Sequence, residues 1–151
     1  MRNLIFFLLA PMLVFAQIEG KVVKVKDGDT VVVLDQDKRT HTIRVADIDC
    51  PEYAQPYSKV AKKFTSDEIY FKEVMVISKG KDRYGRTIGF IRYGEGKDLS
   101  RELLKCGYAW HYKKYSKDKS LADIEVEAKE RGLGLWQDTA PVPPWEWRRN
   151  H

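Results

Sequence analysis

Cysteine and histidine are scarce in this chain, with two of the former and three of the latter among 151 residues. Neither a Cys-x-x-Cys pair nor a Cys/His spacing suited to zinc occurs, so no sequence motif supports a thiolate or imidazole metal centre. Cys50 and Cys106 either form a bridge or stay free, because only a fold can bring their Cα atoms within bonding range. His41, His111 and His151 have no triad or ligand spacing and read as surface residues. Internal repeats and linker-like stretches are missing too, which points to one domain. The one long apolar run, 4–15, falls short of the roughly 20 residues that span a bilayer. With Arg2 ahead of it and small residues before Gln17, segment 1–16 reads as a secretory signal. A retained anchor and a buried first helix are the competing readings. The signal implies a mature protein beginning near Gln17, secreted or periplasmic, with no stable membrane association after cleavage.

The formal net charge of +5 defines no class by itself. Its distribution says more. Residues 105–119 carry five lysines and one aspartate, interleaved with Tyr108, Trp110, Tyr112 and Tyr115. Aromatic faces among lysines suit stacked bases beside a phosphate backbone. The competing reading makes Tyr108 and Trp110 core residues; it stays open for Tyr108, while Tyr112 is assigned to binding.

Residues 20–26 alternate around valines, and Asp27-Gly28 is a strong hairpin signal. The stretch 30–34 is rich in β-branched residues, 35–39 makes a polar turn, and 40–46 completes a meander. A helix follows within 56–70, with Val60, Ala61, Phe64 and Ile69 toward one face. Strands return at 73–78 and 87–93. A second helix, capped by Asp98 or Ser100, stops at Gly107. A third runs from Ser120 to Gly132, with Asp123 as its capping-box partner and Leu121, Ile124 and Ala128 inward. The tail 139–151 is too rich in proline for a helix; its two tryptophans pack across the domain or meet a partner. The order predicts a β-rich α+β fold over 17–138, a five-stranded OB barrel with three helices.

The stretch "IRVADIDCPE" at 43–52 holds Asp47, Asp49 and Glu52 within six positions, with Arg44 just upstream. Asp27 and Asp29 flank Gly28 at the first hairpin, and in a meander the end of strand three can lie beside the start of strand two. Oxygen donors without imidazole or thiolate favour a hard cation, Ca²⁺ or Mg²⁺. Arg44 and Arg86 offer planar forks suited to phosphate oxygens. Taken singly, each segment suits ordinary turn chemistry. Taken together, a metal-binding acid set, two arginines and a spare carboxylate are what phosphodiester hydrolysis requires.

"DGDT" (27–30), "IRVADIDCPE", "DRYGR" (82–86), "CGYAW" (106–110) and "GLGLW" (132–136) occur in that order, and over the chain to about Asp138 the sequence resembles the staphylococcal nuclease, or thermonuclease, family. The resemblance implies that Asp29 and Asp49 ligate Ca²⁺ through their side chains and Cys50 through its backbone carbonyl. It makes Glu52 the general base, or the residue that orients the attacking water, and Arg44 and Arg86 the grip on the scissile phosphate. Arg83 and Tyr84 fall near the terminal phosphate and base, and Trp110 and Tyr112 take the place of two groove tyrosines. Family members cut DNA and RNA at the P–O5′ bond and leave 3′-phosphates; a monomer is expected. Two departures stand out. Cys50 replaces a threonine of the best-known member, and Asp47, at a position usually small or apolar, reads as a solvated loop acid. The alternative function is a non-catalytic OB module that binds nucleic acid.

Overall fold

The computed structural model describes residues 16–151, so the expected signal segment lies outside the described residues except for its last position. Strands β1 (Gln17–Asp27), β2 (Thr30–Asp35) and β3 (Thr40–Val45) form the meander, and the two-residue β4 (Ile48–Asp49) follows. After helix α1 (Ser58–Ile69) come β5 (Glu73–Lys81), β6 (Thr87–Tyr93) and the short β7 (Lys97–Asp98). Helix α2 (Leu99–Lys105), β8 (Trp110–His111), α3 (Lys119–Glu130), a 3₁₀ turn (Gly134–Gln137) and α4 (Pro144–Asn150) complete the order.

β1 pairs antiparallel with both β2 and β5, and β3 runs parallel to β6, which closes a five-stranded barrel. Alternation along the strands explains the core. Val31 and Val33 of β2, Ile43 and Val45 of β3, and Val76 of β5 are all buried inside. The expected OB barrel is the observed fold, with one helix more than the three expected.

Ala61, Thr65 and Ile69 form the buried stripe of α1, and Thr65 Oγ1 donates to the carbonyl of Gly28 at 2.6 Å. Val60, expected on that face, is turned toward solvent, because one helical step rotates it about 100° from Ala61. Asp98 caps α2 and Gly107, at φ 68°, lets the chain leave it. The cap of α3 is Asp118, which accepts from Ser120 N, rather than a Ser120–Asp123 box. Leu121 and Ala128 face inward as expected, and Glu125 is buried beside them.

Two expectations change and one open alternative is settled. The tail does form a helix, since Pro144 occupies its first turn, where a missing N–H breaks no bond. His111 is buried rather than on the surface, its Nε2 2.9 Å from Ser116 Oγ. Both cysteines are free, Cys50 in the core and Cys106 partly covered. Among the described residues no helix is long and apolar enough to cross a membrane.

Gly20 sits in the middle of three strands, paired with Asp35 of β2 and Val74 of β5. A Cβ there would lie 2.2 Å from the carbonyl oxygen of Leu34. Gly20→Ala should therefore cost about 1–3 kcal/mol of stability, as overpacking does. The expected readout is a lower urea midpoint at an unchanged slope; an unchanged midpoint would show that β1 and β2 can part at this point without penalty.

Candidate active site

Two short structural devices bring the acids together. The tight Asp27-Gly28 turn sets Asp29 at the entry to β2. β4 is held by its pairing with β8, Ile48 opposite His111 and Asp49 opposite Trp110, and this places Asp49. Arg44, on β3 between them, reaches both. Its Nη1 lies 3.2 Å from Asp29 Oδ2 and its Nη2 2.6 Å from Asp49 Oδ1. The same Nη1 donates to the carbonyls of Val45 and Ile48, at 3.0 Å each. Asp29 Oδ2 also accepts from the backbone N–H of Cys50 at 2.6 Å. Asp29 is 6% exposed and Asp49 1%, so these contacts form largely out of water, where they are strong.

The other side of Asp49 is occupied by a residue that the sequence did not single out. Arg148 of α4 donates from Nη2 to Asp49 Oδ2 at 2.8 Å and from Nη1 to Glu52 Oε1. A second link fastens the tail to the same loop. Gln55 Oε1 accepts from Glu52 N at 2.9 Å while Gln55 Nε2 donates to the carbonyl of Val142 at 2.6 Å. The usable sequence signal was the Trp-x-x-Arg spacing of 145–148, which puts both side chains on one face once the tail is helical.

Protonation equilibria reflect this crowding. Desolvation raises the Asp49 pKa, and its ion pairs with Arg148 and Arg44 only partly offset the effect. Desolvation also raises Asp27, helped by the negative charges of Asp29 and Glu52. Burial works against the Arg44 guanidinium, but Asp29 and then Asp49 outweigh it and hold its pKa above the ordinary value. Arg148 is likewise held up by Asp49 and Glu52 against its own desolvation. The Cys50 thiol is pushed well above its ordinary range, first by burial. It packs against Gly28, which leaves only the backbone of Cys50 to act at the site.

Among the described residues no three His, Cys, Asp or Glu side chains form a ready-made cation cage. Guanidinium groups stand between the acids instead. The donor chemistry still fits a hard divalent ion. All the acids present oxygen, and Asp29, Asp49 and Glu52 outnumber Arg44 and Arg148 by one charge.

Arg86 does not join this cluster by any contact. Its Nε pairs with Asp82 Oδ2 at 2.7 Å within the turn that enters β6, the strand beside Arg44. Arg83 donates to Tyr84 Oη at 2.6 Å, and Tyr84 is largely exposed. Asp47 is paired rather than solvated, 2.6 Å from Lys79 Nζ. Its carbonyl accepts from Tyr112 N at 2.9 Å. Trp110 is wedged edge-on between Trp136 and Trp145, while Tyr112 lies parallel to Trp145 with ring centres 5.2 Å apart. Arg83, Trp110, Tyr112 and Arg148 share the wall of one groove of about 690 Å³.

Residues 42–138 match the family described as staphylococcal nuclease homologue. An "uncharacterized endonuclease" of Escherichia coli O157:H7 is 37% identical over 145 residues, covering 96% of this chain and 94% of its own length. One of the same description from Haemophilus influenzae is 40% identical over 129 residues, covering 85% and 72%. A "micrococcal nuclease" of Shigella flexneri is 37% identical, covering 89% and 83%. With a closed barrel, an acid pair bridged by a barrel arginine and these relatives, the chain belongs to the staphylococcal nuclease family.

Proposed function

We propose that the protein is an exported Ca²⁺-dependent nuclease that hydrolyses DNA and RNA at the P–O5′ bond and leaves 3′-phosphates. The observation that carries this reading is the convergence of Asp29 and Asp49 on one guanidinium, with Glu52 beside them. Asp29, Asp49 and the Cys50 carbonyl would hold the ion. When bound, Ca²⁺ supplies electrostatic stabilisation of charge building on the phosphorus oxygens.

The chain's own residues do the rest. Glu52 Oε1, once released by Arg148, accepts a proton from the water that attacks phosphorus. Arg44, its Nη1 anchored by two backbone carbonyls, offers Nη2 to a non-bridging oxygen once Asp49 turns to the cation. Arg86 exchanges Asp82 for the phosphate from the neighbouring strand. Arg44 and Arg86 carry guanidinium groups suited to phosphate oxygens, which DNA and RNA share, and this supports action on both. The signal-like segment supports export to the periplasm or the medium.

Arg44→Lys keeps a positive charge between Asp29 and Asp49 but removes the fork, and should lower turnover about 10²–10³-fold. Glu52→Gln should lower it about 10²–10⁴-fold with the fold intact by circular dichroism. Full activity of Glu52→Gln on denatured DNA would refute the assigned base. Chelation of divalent ions should abolish release of acid-soluble nucleotides from DNA and from RNA, and added Ca²⁺ should restore it. A purely nucleic-acid-binding module would release none under either condition.

A further inference from the structure

The groove beside the acid cluster is not built by the family-matched segment alone. Its cationic lining is Arg83, Lys113, Lys114, Lys129, Arg148 and Arg149, and its last two members belong to α4, beyond residue 138 where the family match ends. Its aromatic lining is Trp110, Tyr112 and Trp145. Glu125 lies deep in the same groove, 3.1 Å from both Lys113 Nζ and Lys129 Nζ, so its charge is already matched.

The aromatic geometry decides which ring is available. Trp145 covers one face of Tyr112 in a nearly parallel stack, the planes inclined by only 2°. Tyr115 meets Tyr112 edge-on at 4.9 Å. Trp110 is enclosed by Trp136 and Trp145, both steeply inclined to it, with ring centres 4.4 and 5.7 Å away. Trp145 caps the stack on Tyr112, is only partly covered and still lines the groove. Trp145 is held there by more than its own contacts: Gln55 fixes the Val142 carbonyl, and Trp147 N bonds to Pro143 O at 3.0 Å.

From this we infer that α4 is a nucleotide-binding wall of the active-site groove: Trp145 stacks a base of single-stranded DNA or RNA next to the scissile phosphate, and Arg149 contacts a flanking phosphate. The inference rests on the nuclease reading for the position of the scissile group. Aromatic faces alternating with guanidinium groups are the pattern that holds single strands without reading sequence. Arg148 sits between the two functions. Its side chain pairs with Asp49 and Glu52 but also borders the groove, so a cation on those acids would leave it facing the bound strand.

The test is fluorescence anisotropy of a labelled single-stranded oligothymidylate, titrated with the full chain in chelator so that no cleavage intervenes. Trp145→Ala should weaken binding about 5- to 150-fold, the effect of losing one base–aromatic stack. Trp145→Phe should recover much of that loss. Arg149, exposed at the surface, can be changed without touching the core; Arg149→Gln should reduce the log–log salt slope of binding by about 0.7. In cleavage assays with Ca²⁺, Trp145→Ala should raise KM by a larger factor than it lowers kcat. Wild-type affinity and slope in both Trp145→Ala and Arg149→Gln would overturn the inference even if the wild type cleaves normally. Tighter binding by Trp145→Ala would overturn it too, because α4 would then be a cover over the groove. A wild type that binds through Trp145 and Arg149 yet never cleaves would sustain the wall and refute the nuclease reading.

Discussion

The structure turns on one guanidinium. Among the described residues, Arg44 is the one side chain that pairs with both halves of the acid pair, Asp29 at the mouth of the first hairpin and Asp49 in β4. Two buried carboxylates side by side repel strongly in a medium of low dielectric, and neither stays ionised without a nearby positive charge. Arg44 provides that charge from inside the barrel wall, oriented by the carbonyls of Val45 and Ile48. Such an arrangement is not chosen for stability, since well-packed apolar residues serve a core as well or better. Its worth lies in holding a concentrated negative field at the rim of a rigid scaffold, ready for a cation.

The barrel supplies the rigidity. Each of the five barrel strands has at least two neighbours, so displacing Arg44, which pairs with Thr30 on one side and Ile88 on the other, means breaking ladders on both sides. Helix α1 adds a brace from behind through Thr65, which fastens the Gly28 carbonyl at the turn between the two aspartates. The second acid is placed differently. β4 and β8 form a separate two-stranded ladder, so the position of Asp49 depends on Trp110 and on the aromatic cluster around it. The acid cluster and the aromatic groove are thus mechanically coupled through one short pair of strands.

Much of this could be read from the residues alone. Period-two alternation of valines and isoleucines exposed the barrel strands, and the Asp-Gly turn and the cluster at 43–52 exposed the acids. What escaped notice shares a physical character: it consists of long polar side chains whose partners are far away in sequence. Arg148 reaches Asp49 across 99 positions, and its spacing from Trp145 becomes a signal only once the tail is helical. Glu125 occupies an inward helical position, where periodicity predicts an apolar residue, because two lysines and the His111 amide meet its charge. Proline content predicts no helix in the tail, yet Pro144 falls in the first turn, where its missing N–H breaks no bond. Asp47 reads from sequence as a solvated acid because Lys79, its partner, lies on a distant strand.

The pairing of β4 with β8 has a consequence for the life of the chain before it is complete. Asp29 and Arg44 come from neighbouring hairpins and can meet as soon as these are made. Asp49 is held by Trp110 and His111, and the loop around Glu52 by Val142 and Arg148. A nascent polypeptide that has emerged only through its first hundred residues carries all three acids but lacks what orients two of them. The acid cluster is therefore assembled only when residues 110–148 have been made, well after the barrel hairpins that carry Asp29 and Arg44.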